Sequence, residues 1–244
     1  MELTNKVGEL DPNAGKVTFY NDVRAVYGEN YAARYQSLYI NRWPQKHQLN
    51  AKNLASVLDQ LHRKPRWLDL ACGQAWHFSI FSGRAAMLGV DISEAQLARA
   101  RIMAPEAVFV CKNLVETSFP AQSFDLVTNF WAGYCYLPDR ESIANLWRSA
   151  VDWIAPGGAL YIEVLLGKDL ATFNRSRFSG RTGFSVSPRS EDYSEWEYED
   201  IGGRHVMTSP PLEEILDIVS PFFGAVDARH DGAFMVHLIA TDRR

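Results

Sequence analysis

No apolar run in this chain approaches the ~18 residues that a membrane-spanning helix needs, so no membrane partner is expected. Long Lys/Arg runs are also missing, and the formal net charge is -4. That balance gives no sign of attraction to nucleic acid. Cysteine is scarce: Cys72, Cys111 and Cys135 stand alone, without metal-ligand spacing, so no metal is expected. All three lie in or beside apolar, strand-like runs. An odd count with no leader-like segment predicts reduced, buried thiols and a cytoplasmic setting. No internal repeat or low-complexity tract is present. What the chain does hold is 244 residues, 47% of them apolar, enough for one domain with a large core, or one domain with a small lid.

The chain is organised around Trp67-Leu68-Asp69-Leu70-Ala71-Cys72-Gly73-Gln74-Ala75-Trp76. An apolar run gives way to small residues and then to a helical pattern. This predicts a buried strand, a tight turn and a helix start. Small residues suit such a turn because the backbone bends sharply and a ligand can approach closely. A second apolar run, from Ala85 to Val90, ends in the acid Asp91. A carboxylate at the end of a second parallel strand can accept hydrogen bonds from both ribose hydroxyls of a nucleoside. A dinucleotide site asks for G-x-G-x-x-G, so that helix amides hold a pyrophosphate. Here those positions hold Ala71, Gly73 and Ala75, with Trp76 and His77 following. Asp69 before the turn would repel a pyrophosphate and welcome a cationic amino-acid tail.

This stretch resembles motif I of the class I S-adenosylmethionine-dependent methyltransferases, D-x-x-C-G-x-G, with Ala75 in place of the last glycine. The methyl group of Ala75 narrows the loop. Further landmarks are similar to small-molecule members of that family. Tyr27, Tyr31, Tyr35 and Tyr39 recur every four residues and share a face if the helix is continuous. Such a tyrosine lead-in implies aromatics that cap the cofactor, since ring faces attract a sulfonium cation. Phe124-Asp125-Leu126-Val127 resembles the family's F-D-x-V strand, Leu137-Pro138-Asp139 its L-x-D loop end, and Pro156-Gly157-Gly158 its turn into strand five.

The resemblance implies an α/β fold: a Rossmann-like, seven-stranded sheet, mostly parallel with an antiparallel last strand, and helices on both faces. Residues 1–61 are expected to form an N-terminal helical cap and 62–244 the methyltransferase domain. The first 15 residues are polar and read as irregular; Val17 to Leu61 reads as helices, broken at Pro44 and resumed over Gln45–Leu61. Strands are predicted at Arg66–Leu70, Ala85–Val90, Ala107–Cys111, Phe124–Asn129, Ala159–Val164, Ala225–Arg229 and Phe234–Thr241. Helices are expected from about Gln74, from Ser93 as cap to about Met103, from about Asp139 to Ile154, and over Leu212–Val219. Residues 165–209 are rich in charge and aromatics. Glu195 to Glu199 alternates at period two and meets Gly202-Gly203, which predicts a hairpin in a lid-like insertion. Alternating arginines and phenylalanines there can suggest nucleic acid, but neighbouring acids argue against it.

The implied cofactor is S-adenosyl-L-methionine. Its expected contacts are Tyr31, Tyr35, Asp69, Ala71, Gly73, Asp91, Ile92, Asn113, Leu114 and Asn129. Asn113 stands where the family usually has an acid for the adenine amino group, and its side-chain oxygen can still accept that bond. Asp125 is read as structural, with Asn129 or Phe130 meeting the cofactor. Tyr39, Trp131 and Tyr134 are expected at a small-molecule substrate. His47, His77 and His205 are candidate bases, with His77 favoured as packed and His237 as structural; no catalytic base is assigned. Glu163 can face the site, but is read as solvated at the strand end. The expected reaction is methylation of an amine in specialised metabolism. Methylation of a hydroxyl or carboxyl stays open. So does a methyltransferase fold that uses S-adenosylmethionine for a different reaction. A nicotinamide-dependent reductase is disfavoured by the missing third glycine and by the lack of a Tyr-x-x-x-Lys pair after strand four.

Overall fold

A computed structural model describes residues 27–61, 64–200, 203–232 and 234–244. The expectations for the first 26 residues and for the Gly202 turn lie outside them. Helix α1 (Glu29–Tyr35) runs into five residues of π-helix, Gln36–Ile40, and α2 spans Pro44–Gln60. Pro44 therefore opens a helix at N1, where its missing N–H costs nothing. The alternating core follows: β1 (Arg66–Leu70), α3 (Trp76–Ile80), β2 (Ala86–Asp91), α4 (Glu94–Met103), β3 (Val108–Cys111), β4 (Phe124–Asn129), α5 (Arg140–Trp153) and β5 (Ile154–Leu165). Next come α6 (Gly167–Leu170), α7 (Arg177–Thr182), β6 (Ser185–Pro188), β7 (Glu195–Asp200) and β8 (Gly203–Thr208). Helix α8 (Leu212–Val219) and strands β9 (Phe223–His230) and β10 (Met235–Arg243) close the chain.

The main sheet has seven strands in the order β3-β2-β1-β4-β5-β10-β9. β1 to β5 pair in parallel, while β10 lies antiparallel to both β5 and β9. Side-chain alternation sends Trp67, Leu126 and Tyr161 to one face, against Leu54 and Val57 of α2, Phe78 of α3 and Leu97 of α4. It sends Leu68, Val127 and Leu160 to the other, against Ile143 and Trp147 of α5 and Ile215 of α8. Every residue of β4 is buried, as a central parallel strand covered on both faces requires. Helix starts are set by local chemistry: Ser93 accepts from the Gln96 amide and Asp139 from the Ser142 amide. Arg66 grips Asp125 through two bonds of 3.0 and 2.9 Å, which fixes Asp125 as a structural partner between β1 and β4.

β2, β3, β9 and β10 shift by one or two residues at their ends, and two boundaries differ for a local reason. β5 begins at Ile154, not Ala159: Ile154 already pairs with Phe124, and the Pro156-Gly157-Gly158 stretch is taken up by a register shift on β4. A Cβ on Gly158 would stand 2.8 Å from the Asp125 carbonyl oxygen, so only glycine lets the strands close there. α3 begins at Trp76, not Gln74, because Ala75 is left-handed. The insertion forms a three-stranded antiparallel sheet, β6-β7-β8, not a simple hairpin. β6 was not legible: it is four residues long, sits at an edge and ends in proline. The thiols are all free, but Cys111 is exposed and Cys72 half-buried, so only Cys135 is buried as expected.

Candidate active site

The turns after β1 and β4 meet at the carboxyl end of the sheet, where open α/β sheets place ligands. Ala71, Gly73 and Ala75 all have left-handed φ, at 53°, 53° and 56°. Alanine pays about 1–2 kcal/mol for that conformation. Trp131 and Ala132 after β4 are left-handed too, at 57° and 50°. Strain of this kind collects at ligand sites. The two turns interlock: a Cβ built on Gly133 would come within 2.5 Å of the Ala71 Cβ. Gly133→Ala should therefore cost about 1–3 kcal/mol in urea unfolding. Adding Ala71→Gly should restore most of it, since the methyl group merely changes sides. No recovery in the double variant would contradict this packing.

The two buried acids differ in support. Asp91, at the end of β2, accepts from the Gly73 amide (2.8 Å) and the Ser93 amide (2.9 Å). Burial raises its carboxyl above the usual range, and the amides of Ser93, Gly73 and Ile92 pull the other way. Asp69, on β1, accepts among the described residues only from the Thr128 hydroxyl (2.6 Å), which itself takes the Trp67 indole N–H (2.8 Å). Burial, with the charges of Asp91 and Glu163 behind it, pushes Asp69 up to about 8 despite that bond. The N-terminal segment is tied over this floor: the Gln74 amide donates to the Ala32 carbonyl and the Ser93 hydroxyl to the Tyr27 carbonyl.

A cavity opens above these turns. Counted with its open mouth, the space between its walls is about 1560 Å³. Tyr31, Tyr35, Asp69, Ala71 and Gly73 line it, and so do Asp91, Ile92, Asn113 and Leu114. Of the expected substrate contacts, Tyr39 and Trp131 line it as well. Asn129 and Tyr134 do not. The Asn129 amide is fully buried and donates to the Leu70 carbonyl (2.7 Å), pinning the end of β1, while the next ring, Phe130, faces the cavity. Tyr134 packs against Trp147 and accepts from the Leu165 amide, so it belongs to the core. Asn113 accepts from the Val115 amide (3.1 Å), which caps the turn that presents Leu114.

The four tyrosines stay together although the helix changes pitch. Rings 27 and 31 are 4.7 Å apart, and rings 35 and 39 are 5.0 Å apart. Tyr31 donates to Tyr39 (2.5 Å) and lies 3.2 Å from Asp200, at the end of β7. The insertion closes the roof with Leu170, Phe173, Phe178, Tyr198 and Met207. Of these, Tyr198 was signalled by the period-two alternation of β7. The others rise from short helices and from β8, whose pairing is nonlocal. Among the described lining residues there is no Lys or Arg, and the only acidic ones are Asp69 and Asp91. Two buried carboxylates without a countercharge fit a cationic ligand and refuse a diphosphate.

Glu163 is neither solvated nor in the cavity wall. It is fully buried, with Lys46 Nζ at 2.5 Å and the Trp131 amide donating at 2.6 Å. Burial pushes its carboxyl up, but the Lys46 and His237 charges and the Trp131 amide outweigh it, and it stays below the usual range. Four imidazoles are buried among the described residues: His47 and His77 line the cavity, His205 packs between Tyr136 and Tyr198 outside it, and His237 lies on β10. His237 is committed to the Tyr161 hydroxyl (2.6 Å), consistent with a structural role.

Residues 68–158 match the methyltransferase domain family. No protein of curated function matches the chain in sequence. Solved structures resemble it in fold. One is the S-adenosylmethionine-bound CalS10, an amino pentose methyltransferase from Micromonospora echinaspora, with 18% identity, 85% of this chain and 96% of that chain covered, and a TM-score of 0.59. DhpI bound to S-adenosylhomocysteine has 13% identity, covers 94% and 99%, and has a TM-score of 0.65. The 1,6-didemethyltoxoflavin-N1-methyltransferase of Burkholderia thailandensis, bound to its substrate and S-adenosylhomocysteine, has 14% identity, covers 97% and 93%, and has a TM-score of 0.58.

Proposed function

We infer that this S-adenosylmethionine-dependent methyltransferase of the class I fold methylates a nitrogen atom of a small molecule. The observation that carries the reading is the cavity wall: tyrosine and tryptophan rings with two buried acids, and no Lys or Arg among the described lining residues. A phosphorylated or carboxylated acceptor would need a cation there. An amine needs none, and aromatic faces favour the positive charge that grows on nitrogen during transfer. The amino pentose and N1 substrates of CalS10 and the toxoflavin enzyme are in keeping with this choice. A hydroxyl acceptor is the second reading, favoured by the neutral imidazoles in the wall, which can take its proton.

When bound, the cofactor supplies an electrophilic methyl group on a sulfonium. Asp91 holds the ribose hydroxyls, with Ile92 beside it. Asn113 and Leu114 hold the adenine. Asp69, Ala71, Gly73, Tyr31 and Tyr35 surround the amino-acid end. Tyr39 and Trp131 face the acceptor, and residues 165–209 act as a lid that excludes water. Holding acceptor and methyl group in line can contribute on the order of 7–11 kcal/mol. The free thiols suit a reducing, cytoplasmic setting. The test is incubation with labelled S-adenosylmethionine and a panel of amines, phenols and heterocycles. Label transfer to amines supports the reading, and transfer confined to phenols replaces it with the second. Asp91→Ala should weaken S-adenosylhomocysteine binding by ~1–3 kcal/mol in calorimetry, the effect of leaving the ribose hydroxyls unpaired. Unchanged affinity would remove Asp91 from the site.

A further inference from the structure

Buried polar atoms in folded proteins are almost always paired, so a cluster of unpaired ones calls for an explanation. One such cluster lies in the cavity wall. Both ring nitrogens of His47, Nε2 of His77 and the indole N–H of Trp131 have no hydrogen-bond partner among the described residues. The three rings are neighbours. His47 is 5.6 Å from the Trp131 ring, 6.2 Å from the His77 ring and 4.5 Å from the Trp76 ring. His77 is stacked on Phe130 at 3.8 Å, which fixes its plane. His47 is 2% exposed and His77 5%. The Tyr39 carbonyl lies near His47 but outside hydrogen-bond geometry.

The cluster is separate from the two acids. It stands on α2, α3 and the turn after β4, with the Trp76 ring beside His47 and the Phe130 ring beside His77. The charged groups facing it are Lys46, one residue before His47 with its ammonium 4.8 Å from the Trp131 ring, and Glu163 beneath the Trp131 turn. These two neutralise each other at 2.5 Å. What remains is a donor and two neutral imidazoles, each with one donor and one acceptor nitrogen. Burial lowers His47 to about 4 and His77 to about 3, with Glu163 opposing in both. At neutral pH both rings keep a free lone pair.

We propose that His47, His77 and the Trp131 indole form the polar subsite that binds the methyl acceptor, and that His47 is the group that takes the acceptor's proton. This rests on the methyltransferase reading above. The ligand class follows from the donor set and the rings beside it: an uncharged N–H or O–H next to an acceptor atom on a flat, largely apolar body. In the transfer the acceptor's lone pair forms the bond to the methyl carbon. The carbon–sulfur bond breaks with its electron pair left on sulfur. The proton displaced from the acceptor passes to the His47 lone pair and then to water. His205, buried in an aromatic cluster outside the wall, has no such part.

The test uses full-length enzyme labelled with ring-15N histidine and saturated with S-adenosylhomocysteine, with 4-aminophenol, aniline and 2-hydroxypyridine as probes. Signals are assigned with His47→Gln and His77→Gln. A probe that the enzyme methylates should move the His47 and His77 ring signals and leave those of His205 and His230 in place. With that probe, His47→Gln should lower kcat by ~10²–10⁴-fold. His47→Ala should regain rate with added imidazoles in order of their basicity. Both glutamine variants should bind S-adenosylhomocysteine within about twofold of wild type, which separates this result from any failure of the cofactor assignment. A methylated probe that leaves His47 unmoved, a His47→Gln variant with wild-type kcat, or a His47→Ala variant without rescue would overturn the proposal.

Discussion

Glu163→Ala should lower the unfolding free energy by about 3–5 kcal/mol in urea titration, a large share of a domain's stability. The carboxylate is fully buried and joins three parts of the fold: Lys46 of α2, the Trp131 amide after β4, and His237 of β10 at 3.9 Å. Truncation leaves the Lys46 ammonium, 14% exposed, with only Asp231 at 3.7 Å, and orphans the Trp131 amide. Trp131 and Ala132 are left-handed, so the turn loses the bond that holds a strained backbone. Glu163→Gln keeps an acceptor for that amide and should cost less. The pair Lys46→Met with Glu163→Leu should recover much of the loss, because a well-packed apolar pair can match a buried ion pair. The carboxyl sits below its ordinary value, so this stabilisation is present above the unfolded pKa. It fades as pH falls through the folded one. A loss under about 1 kcal/mol for Glu163→Ala would mean that the network contributes nothing.

Asp69→Asn should change the pH dependence of both stability and cofactor binding. The folded protein holds the Asp69 proton up to about pH 8, while the unfolded chain releases it near its ordinary pKa of ~4. Between those values the unfolded state binds fewer protons, so stability falls as pH rises and levels off above about 8. Asparagine cannot ionise, so the variant should gain stability toward pH 8 and lose that slope. Ligand binding runs the other way. A cationic amino-acid tail draws the charge onto Asp69, so wild-type affinity should tighten with pH, by up to ~10-fold per unit below 8, with proton release. Calorimetry of S-adenosylmethionine in buffers of different ionisation enthalpy reads that proton. A flat wild-type profile with no proton release would mean that Asp69 does not meet the cation.

Much of the frame was legible because its causes are local. β1, β4 and α8 fall on the expected residues: buried parallel strands are short apolar runs, and α8 follows two prolines with an apolar stripe. Ser93 and Asp139 cap helices because their side chains reach an amide three residues on. Asp91 and Gly73 come together as the turn pattern required. The rest depends on distant pairing. Glu163 read as solvated because Lys46 and Trp131, its partners, lie 117 and 32 residues away. Tyr134 and Asn129 sit beside the site in sequence, but the Asn129 amide is drawn to the Leu70 carbonyl and the Tyr134 ring to Trp147. Left-handed alanines at 71 and 75 leave no mark in composition.

The central claim is that the crevice beyond β1 and β2 holds a nucleoside with a cationic tail. Calorimetric titration of the purified chain with S-adenosylhomocysteine, and separately with NAD, addresses it most directly. One-to-one binding of S-adenosylhomocysteine and no heat from NAD is the predicted result. Binding of NAD in the absence of any response to S-adenosylhomocysteine would contradict it.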